Sequence, residues 1–144
     1  MHSSNKKIVV VCFANYCRSP VAEYLLKNKY KNYEISSAGI RPLAMSTMDK
    51  RSVSFLNEQG FASVIHNPKR INQTLIKDSD VIYALDVPVL MQLNNEFPSF
   101  KAKFKLLNHQ NPKVNLSDPY QYSDDDYRLI MINIKIVCES LEIN

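Results

Sequence analysis

Two cysteines and an arginine fall within seven residues near the start of the chain, in the segment CFANYCR at positions 12–18. A loop between a strand and a helix can turn its backbone N–H groups inward, where they and the positive end of the helix bind an anion. Arg18 can add two parallel N–H bonds to phosphate oxygens. The same positive surroundings favour the thiolate of Cys12, the nucleophilic form of the side chain. The spacing therefore predicts a cysteine nucleophile that faces a bound phosphate.

The predicted phosphate-binding residues are the six that follow Cys12: Phe13, Ala14, Asn15, Tyr16, Cys17 and Arg18. The hydroxyl of Ser19 can also donate toward the Cys12 sulfur. Such a site needs no metal, since Arg18 and the loop amides carry the stabilising charge. The three histidines show no metal-ligand spacing, so we predict neither a metal site nor a cofactor.

A Cys-x5-Arg spacing alone is weak evidence, and its weight here comes from its place between a predicted strand and a Ser-Pro helix start. Cys17 has two interpretations: a small packing residue at the helix start, or a second functional thiol. Cys138 lies on the apolar face of the last predicted helix, which favours a position in the core.

The residues on either side of the loop predict a strand and a helix. Lys7 to Phe13 is a β-branched apolar run of strand length, and Pro20 to Lys29 has apolar residues spaced for one helical face. Ser19 is predicted as the N-cap and Pro20 as the first helical residue, where a missing amide costs nothing. The loop thus joins the carboxyl end of a strand to the N-terminus of a helix.

The rest of the chain alternates in the same way. Further strands are predicted at Tyr33–Gly39, Val81–Leu85 and Phe104–Leu107, and further helices at Asp49–Gln59, from Pro88 to Leu93, and along a stripe of Ile130, Ile134, Val137 and Leu141. This order predicts an α/β fold with a four-stranded parallel sheet and helices on both faces. Ligands of such sheets bind beyond the carboxyl ends of the strands, where residues 12–18 fall.

Length and composition indicate an ordinary folded protein. At 144 residues with 45% hydrophobic side chains, we expect a single domain over residues 1–144. The net charge of +4 is spread over scattered lysines, which argues against nucleic-acid binding. No segment has the length of a membrane span and the first residues do not read as a signal peptide, so we expect no membrane insertion. A cytoplasmic location with reduced cysteines is the expectation.

The segment VCFANYCRSP at positions 11–20 resembles the signature of the low molecular weight protein tyrosine phosphatases, V-C-x-G-N-x-C-R-S-P. The likeness continues through SSAG at 36–39, MDKRSVSFLNEQGF at 48–61, His66, DVIYALD at 80–86 and SDPY at 117–120. These segments occur in the family's order and extend over nearly the whole chain. The resemblance implies a three-layer sandwich with a phosphate-binding loop after the first strand.

The same resemblance implies roles for individual residues. Cys12 would be the nucleophile, Arg18 the phosphate clamp and Asp118 the general acid. Asn15 would support the loop and Ser19 would contact the thiolate. The implied reaction is hydrolysis of phosphotyrosine through a cysteinyl-phosphate intermediate. The implied partner is a phosphotyrosine-containing protein and, by analogy with bacterial members, a bacterial tyrosine kinase.

The leaving group of the reaction requires a general acid, a role that Asp118 can fill, although an Asp-Pro pair is usually only a turn. Tyrosine leaves as a phenolate whose conjugate acid has a pKa of about 10, so a nearby acid must protonate it for efficient cleavage at neutral pH. A loop carboxyl group suits that role and can later accept a proton from the hydrolytic water. Tyr120 has two interpretations, one wall of the substrate slot or a surface aromatic residue.

Two loop residues depart from the family's pattern. Ala14 replaces the usual glycine and restricts the backbone there. Tyr16 replaces a smaller aliphatic residue and can narrow the rim of the pocket. We expect the activity class to survive, whereas the two residues leave the substrate selectivity open.

Three other functions share parts of this pattern. Protein arginine phosphatases resemble the same family but tend to carry threonine at the place of Tyr16, and they are the main alternative. Arsenate reductases of this fold need redox cysteines in the middle of the chain, and the sequence has none between Cys17 and Cys138. A non-catalytic phosphotyrosine-binding module is expected to lose Cys12 or Asp118, and both are present.

The second cysteine of the loop suggests a redox role beside the packing one. An accessible thiolate is readily oxidised, first to a sulfenic acid and then irreversibly further. Cys17 could capture oxidised Cys12 as a disulfide if the backbone shifts to meet the required geometry. We therefore predict that Cys17 is a redox partner that keeps the oxidation reversible.

Overall fold

The computed structural model describes residues 5–43 and 46–144. Its sheet consists of four parallel strands, β1 (Lys7–Cys12), β2 (Glu34–Gly39), β3 (Val81–Ala84) and β4 (Phe104–Leu106). The helices are α1 (Ser19–Lys29), α2 (Lys50–Glu58), α3 (Gln73–Asp78), α4 (Val87–Glu96) and α5 (Asp124–Ser140), and a short 3-10 helix covers Pro98–Lys103. The strand order is β2-β1-β3-β4, which places β1 and β3 inside the sheet.

The inner strand β1 is covered by helices on both faces, as its unbroken apolar sequence predicts. Ile8, Val10 and Cys12 belong to the core cluster that contains residues of α1, α2 and α5. Val9 and Val11 belong to the opposite cluster, with residues of α3 and α4. Successive side chains of a strand point to opposite faces, so this alternation turns Cys12 toward α1.

The predicted fold class is confirmed. All four strands lie within one residue of their predicted ends, because β-branched runs bounded by turn residues are a strong strand signal. The register pairs Cys12 with Gly39 and Val11 with Ala84. The carboxyl ends of three strands therefore meet around the residues that follow Cys12.

The predicted cap of α1 is wrong. Arg18 is the N-cap and makes no side-chain cap bond, whereas Ser19 is already the first helical residue. The Ser19 hydroxyl lies 2.9 Å from the Cys12 sulfur instead of capping the helix. The Ser19 hydroxyl contacts Cys12 and therefore does not accept a hydrogen bond from the first amides of α1.

The helix α2 agrees with its prediction. Asp49 is the N-cap and accepts a hydrogen bond from the Arg51 amide at 2.9 Å. Gly60 follows the C-cap with a φ of 98°, a left-handed conformation that glycine adopts without a Cβ clash. The helix α3 was not predicted, because it has only six residues and one buried side chain, Ile76, and so carries no apolar periodicity.

Candidate active site

The loop at residues 13–18 runs from the carboxyl end of β1 to the start of α1. The neighbouring segment after β2 anchors it, since the Ile40 amide donates to the Cys12 carbonyl at 3.2 Å and the Arg41 amide to the Phe13 carbonyl at 2.8 Å. The structure therefore places the predicted loop at the edge of the sheet where ligands of parallel α/β folds bind.

The Cys12 thiol is 2% exposed and contacts Ser19 twice. The Ser19 hydroxyl oxygen lies 2.9 Å from the sulfur, and the Ser19 amide donates to the sulfur at 3.4 Å. Hydrogen bonds donated to a sulfur stabilise its thiolate form. Ser19 thus contacts the Cys12 sulfur through both its hydroxyl and its amide.

Asn15 holds the loop from beneath with a fully buried side chain. Its amide nitrogen donates to the hydroxyls of Ser19 at 2.8 Å and Ser37 at 2.9 Å, and its side-chain oxygen accepts from the Lys69 amide at 3.0 Å. Because Asn15 donates to the Ser19 oxygen, the Ser19 proton is left to point at the Cys12 sulfur. The φ of Asn15 is 55°, a conformation in which asparagine is enriched among residues other than glycine.

His66 supports the same loop, a role that the sequence analysis did not assign. Its Nε2 lies 2.8 Å from the Asn15 carbonyl oxygen. Burial lowers the pKa of His66, which keeps the ring neutral at pH 7 with Nε2–H as the donor. The sequence points to His66 only through the family resemblance. Its position 51 residues after Asn15 does not by itself predict a contact with the loop.

Arg18 is a buried cation with two fixed partners. Its Nη1 donates to Asp86 Oδ2 at 2.7 Å and to the Leu116 carbonyl at 2.8 Å. Burial opposes the charge, but the neighbouring Cys12 and Asp86 raise the pKa of Arg18 above its usual value. Among the described residues, the buried Nε of Arg18 has no hydrogen-bond partner. An unsatisfied buried donor of a cation is costly unless a ligand accepts from it.

Asp86 is the second functional residue that sequence reasoning missed. It follows β3 and caps α4 by accepting from the Val89 amide at 3.0 Å, while its other oxygen binds Arg18. An aspartate between a strand and a helix predicts only a helix cap. The order of the strands places β3 beside β1 and so brings Asp86 near Arg18. Asp86 thus holds Arg18 at the edge of the sheet.

Cys12, Arg18 and Asp118 line one cavity of about 260 Å³. The remaining lining residues are Phe13, Ala14, Tyr16, Cys17, Leu43 and Tyr120. Asp118 is exposed, and its Oδ1 accepts from the Tyr120 amide at 3.1 Å. Of the predicted loop residues, Asn15 alone does not line this cavity.

Aromatic side chains form part of the cavity wall. The rings of Tyr16 and Tyr120 meet edge to face with centroids 6.1 Å apart. Tyr120 is 52% exposed, so its outer face remains open to solvent. Tyr120 thus both lines the cavity and lies at the surface.

Cys17 lines the cavity but is only 5% exposed. Its sulfur lies 4.0 Å from Asp49 Oδ2, and burial raises the pKa of the thiol to about 12. Cys17 is therefore a neutral thiol at pH 7. All three cysteines are free, and Cys138 lies in the core as predicted.

The described residues form neither a metal site nor a membrane span. Across residues 5–43 and 46–144, no group of three or more histidine, cysteine, aspartate or glutamate side chains has the arrangement of a metal site. None of the helices in that part of the chain is long and apolar enough to cross a membrane.

The fold and the loop define an α/β protein with a cavity at the carboxyl edge of a parallel sheet, lined by a cysteine, an arginine and an aspartate. The model of the family "Low molecular weight phosphotyrosine protein phosphatase" matches residues 7–143. The chain belongs to this family. A low molecular weight protein-tyrosine-phosphatase, Ptp, of Acinetobacter johnsonii is 36% identical over 117 residues, or 81% of this chain and 82% of the relative.

Solved structures show the same fold. The crystal structure of the tyrosine phosphatase AmsI of Erwinia amylovora has a TM-score of 0.87 and 26% identity, over 95% of this chain and 91% of that chain. The arginine phosphatase YwlE of Geobacillus stearothermophilus has a TM-score of 0.84 and 24% identity, over 93% of this chain and 88% of that chain. At that identity, the likeness to YwlE shows the fold alone.

Proposed function

We propose that this family member is a protein tyrosine phosphatase that hydrolyses phosphotyrosine through a cysteinyl-phosphate intermediate. The observation that carries the proposal is the convergence of Cys12, Arg18 and Asp118 on one cavity. The buried Nε of Arg18 supports it, because it has no acceptor in the part of the chain that the structure describes and a phosphate oxygen would supply one.

In the first step, the loop amides and Arg18 hold the phosphate oxygens while the Cys12 thiolate attacks phosphorus. The sulfur–phosphorus bond forms as the bond from phosphorus to the tyrosyl oxygen breaks. Asp118, initially protonated, gives its proton to that oxygen, so tyrosine leaves as a neutral phenol. The Ser19 hydroxyl, which accepts from Asn15, lies 2.9 Å from the sulfur that attacks and keeps it in place.

In the second step, water attacks phosphorus and the sulfur–phosphorus bond breaks. The Asp118 carboxylate accepts a proton from the water, and the Cys12 thiolate is restored. Inorganic phosphate then leaves. The positive charge of Arg18 and the fixed N–H donors stabilise both transition states in a largely water-excluded loop.

The cavity walls favour an aryl phosphate. Phe13, Tyr16, Tyr120 and Leu43 provide apolar surface around the opening that leads to Cys12. The phosphoseryl side chain is too short to use these walls, whereas the phosphotyrosyl ring contacts them along its length. Tyr16 occupies the place of the threonine that arginine phosphatases tend to carry, which favours phosphotyrosine over phosphoarginine.

A panel of matched peptides tests the proposal. We expect rapid hydrolysis of a phosphotyrosine peptide and little hydrolysis of the phosphoserine and phosphoarginine versions, with rates unchanged by a chelator. Cys12→Ser should abolish turnover on all of them while retaining oxyanion binding. Preference for the phosphoarginine peptide would identify an arginine phosphatase, and substantial turnover by Cys12→Ser would exclude the cysteine mechanism.

We also propose that residues 1–144 act as one phosphatase domain in the cytoplasm, on phosphotyrosine proteins that include a bacterial tyrosine kinase. The bacterial relatives and the family support this assignment. Immobilised Cys12→Ser protein should retain tyrosine-phosphorylated proteins from a lysate of the source organism and release them with vanadate. Retention of unphosphorylated proteins alone would contradict it.

A further inference from the structure

Arg51, in the first turn of α2, joins three separate parts of the molecule. Its Nε and Nη2 donate to the two carboxylate oxygens of Asp49 at 3.1 and 3.0 Å. Its Nη1 donates to the Tyr122 carbonyl and its Nη2 to the Tyr120 carbonyl, each at 3.0 Å. The guanidinium carbon lies 3.8 Å from the centroid of the Tyr127 ring. A planar fork can satisfy these acceptors together, which a lysine ammonium cannot do.

At one end, these contacts reach the phosphate-binding loop. The Asp49 amide donates to the Tyr16 carbonyl at 3.1 Å, and the Asp49 carboxylate lies 4.0 Å from the Cys17 sulfur. Asp49 is 7% exposed, so its pairing with Arg51 is largely screened from water. The guanidinium is therefore fixed relative to the loop that carries Cys12.

At the other end, the contacts reach Asp118. Arg51 binds the carbonyl of Tyr120, and the amide of the same residue donates to Asp118 Oδ1 at 3.1 Å. Asp118 lies in residues 107–123, between β4 and α5, a stretch that has neither a helix nor a strand. Contacts from outside, rather than its own backbone ladder, must hold such a segment in place.

We propose that Arg51 is a positioning residue that holds the Asp118 segment against the phosphate-binding loop and so sets the distance over which Asp118 transfers its proton. The inference rests on the proposed role of Asp118 as the general acid. A general acid must come within hydrogen-bond reach of the leaving oxygen, and a displacement of about 1 Å can cost 10²-fold in rate. Arg51 itself does not touch the substrate.

The test compares two substrates that differ in their need for an acid. Arg51→Met should lower kcat/KM on phosphotyrosine by about 10–10²-fold, because kcat/KM reports formation of the cysteinyl-phosphate, the step in which Asp118 gives its proton to the leaving oxygen. The loss on 2,4-dinitrophenyl phosphate should be much smaller, since that phenolate leaves without a proton. Arg51→Lys, which keeps the charge but not the fork, should show the same selective loss to a lesser degree and serves if Arg51→Met does not fold.

A double-mutant cycle separates positioning from general damage. In the Asp118→Ala background, Arg51→Met should cause no further loss on phosphotyrosine, because both changes remove the same proton transfer. Equal loss on both substrates, or full additivity with Asp118→Ala, would overturn the proposal. If Asp118→Ala alone shows no dependence on the leaving group, the proposed acid fails first and the role of Arg51 fails with it.

Arg128→Met is the matched control. Arg128 also joins α2 and α5 by an ion pair, with its Nη1 2.7 Å from Glu58 Oε1, but it contacts none of the residues that link Arg51 to Asp118. Its loss should leave the rates on both substrates unchanged. Binding of inorganic phosphate should be equal in wild type, Arg51→Met and Arg128→Met. A loss of phosphate binding in Arg51→Met alone would show that Arg51 supports the whole loop, and would contradict a specific effect on the acid.

Discussion

At the scale of single residues, the side chain of Asp118 faces the cavity that contains Cys12 and Arg18, and is tied to its own loop by one hydrogen bond from the Tyr120 amide. Once this carboxyl group has given its proton to the leaving oxygen, the carboxylate that remains is already the form that accepts a proton from the hydrolytic water. One exposed side chain can therefore serve as the proposed acid and then as the proposed base.

Removal of this carboxyl group should slow the reaction in a way that depends on the leaving group. We expect Asp118→Ala to lower the rate on phosphotyrosine by about 10²–10⁴-fold, the range of a positioned general acid. The loss on an aryl phosphate with an acidic phenol should be smaller while formation of the cysteinyl-phosphate limits the rate. Steady-state rates on a series of aryl phosphates measure this dependence, and wild-type rates throughout the series would point to another acid.

A second prediction at this scale concerns oxidation of Cys12. Peroxide takes the thiolate to a sulfenic acid, and attack by the Cys17 thiol then forms a disulfide and releases water. Burial raises the pKa of Cys17 to about 12, so this thiol is mostly protonated. Because the thiolate is the attacking form, capture requires the loop to shift and relieve that burial. We expect mild peroxide to inactivate the enzyme reversibly in wild type and irreversibly in Cys17→Ser, with bound phosphate slowing both losses.

Peptide mapping by mass spectrometry and recovery of activity with a thiol reductant provide the measurements. A bridged Cys12–Cys17 peptide should be found in oxidised wild type. Full rescue of Cys17→Ser after prolonged peroxide, or the lack of a bridged peptide, would leave Cys17 with a packing role only.

At the scale of elements, the close approach of β2 to the phosphate-binding loop restricts Gly39. A Cβ atom at this position would lie 2.8 Å from the Asn15 nitrogen and 2.9 Å from the Ala14 carbonyl carbon. Both are backbone atoms, so the loop rather than a side-chain end would have to move. The end of β2 therefore helps to fix the shape of the loop.

Gly39→Ala should consequently impair both stability and activity. We expect a loss of about 1–3 kcal/mol in the free energy of unfolding, as for other overpacked sites, and a fall of about 10–10²-fold in kcat. Gly60→Ala is the control, since a Cβ there meets open space and only the φ of 98° is strained. It should cost about 1–2 kcal/mol and leave kcat unchanged. Equal activity of the two variants would contradict the coupling between β2 and the loop.

The elements also show which features a sequence can predict. The strands and α2 are confirmed because their signals are local: β-branched runs, an N-terminal Asp and a C-terminal Gly. Ser19 was predicted as a cap from the same local signal, and the competing bond to Cys12 prevailed. Asp86, His66 and Arg51 escaped prediction as site residues because their key partners lie 68, 51 and 69 residues away along the chain.

At the scale of the whole molecule, binding of an oxyanion should stabilise the fold. Arg18 is a buried cation whose Nε has no hydrogen-bond partner within residues 5–43 and 46–144, and a ligand that binds only the folded state shifts the unfolding equilibrium. At about 100 times its Kd, phosphate or vanadate should add about 2.7 kcal/mol to the free energy of unfolding. That corresponds to a rise in Tm of roughly 5–10 °C.

Thermal unfolding with and without the oxyanion measures this effect. Arg18→Lys should lose most of the shift because it loses the fork geometry, whereas Arg128→Met should keep it. A full shift in Arg18→Lys would show that the anion binds elsewhere.

The hydrogen bond from Arg18 to the Leu116 carbonyl joins positions 98 residues apart. During synthesis on a ribosome, the nucleophile loop emerges early, and the segment with Asp118 emerges only after all four strands. A nascent chain halted before that segment has the thiol but neither this partner of Arg18 nor Asp118. Full turnover of phosphotyrosine should therefore require nearly the whole chain, which makes activity a sensitive reporter of complete folding.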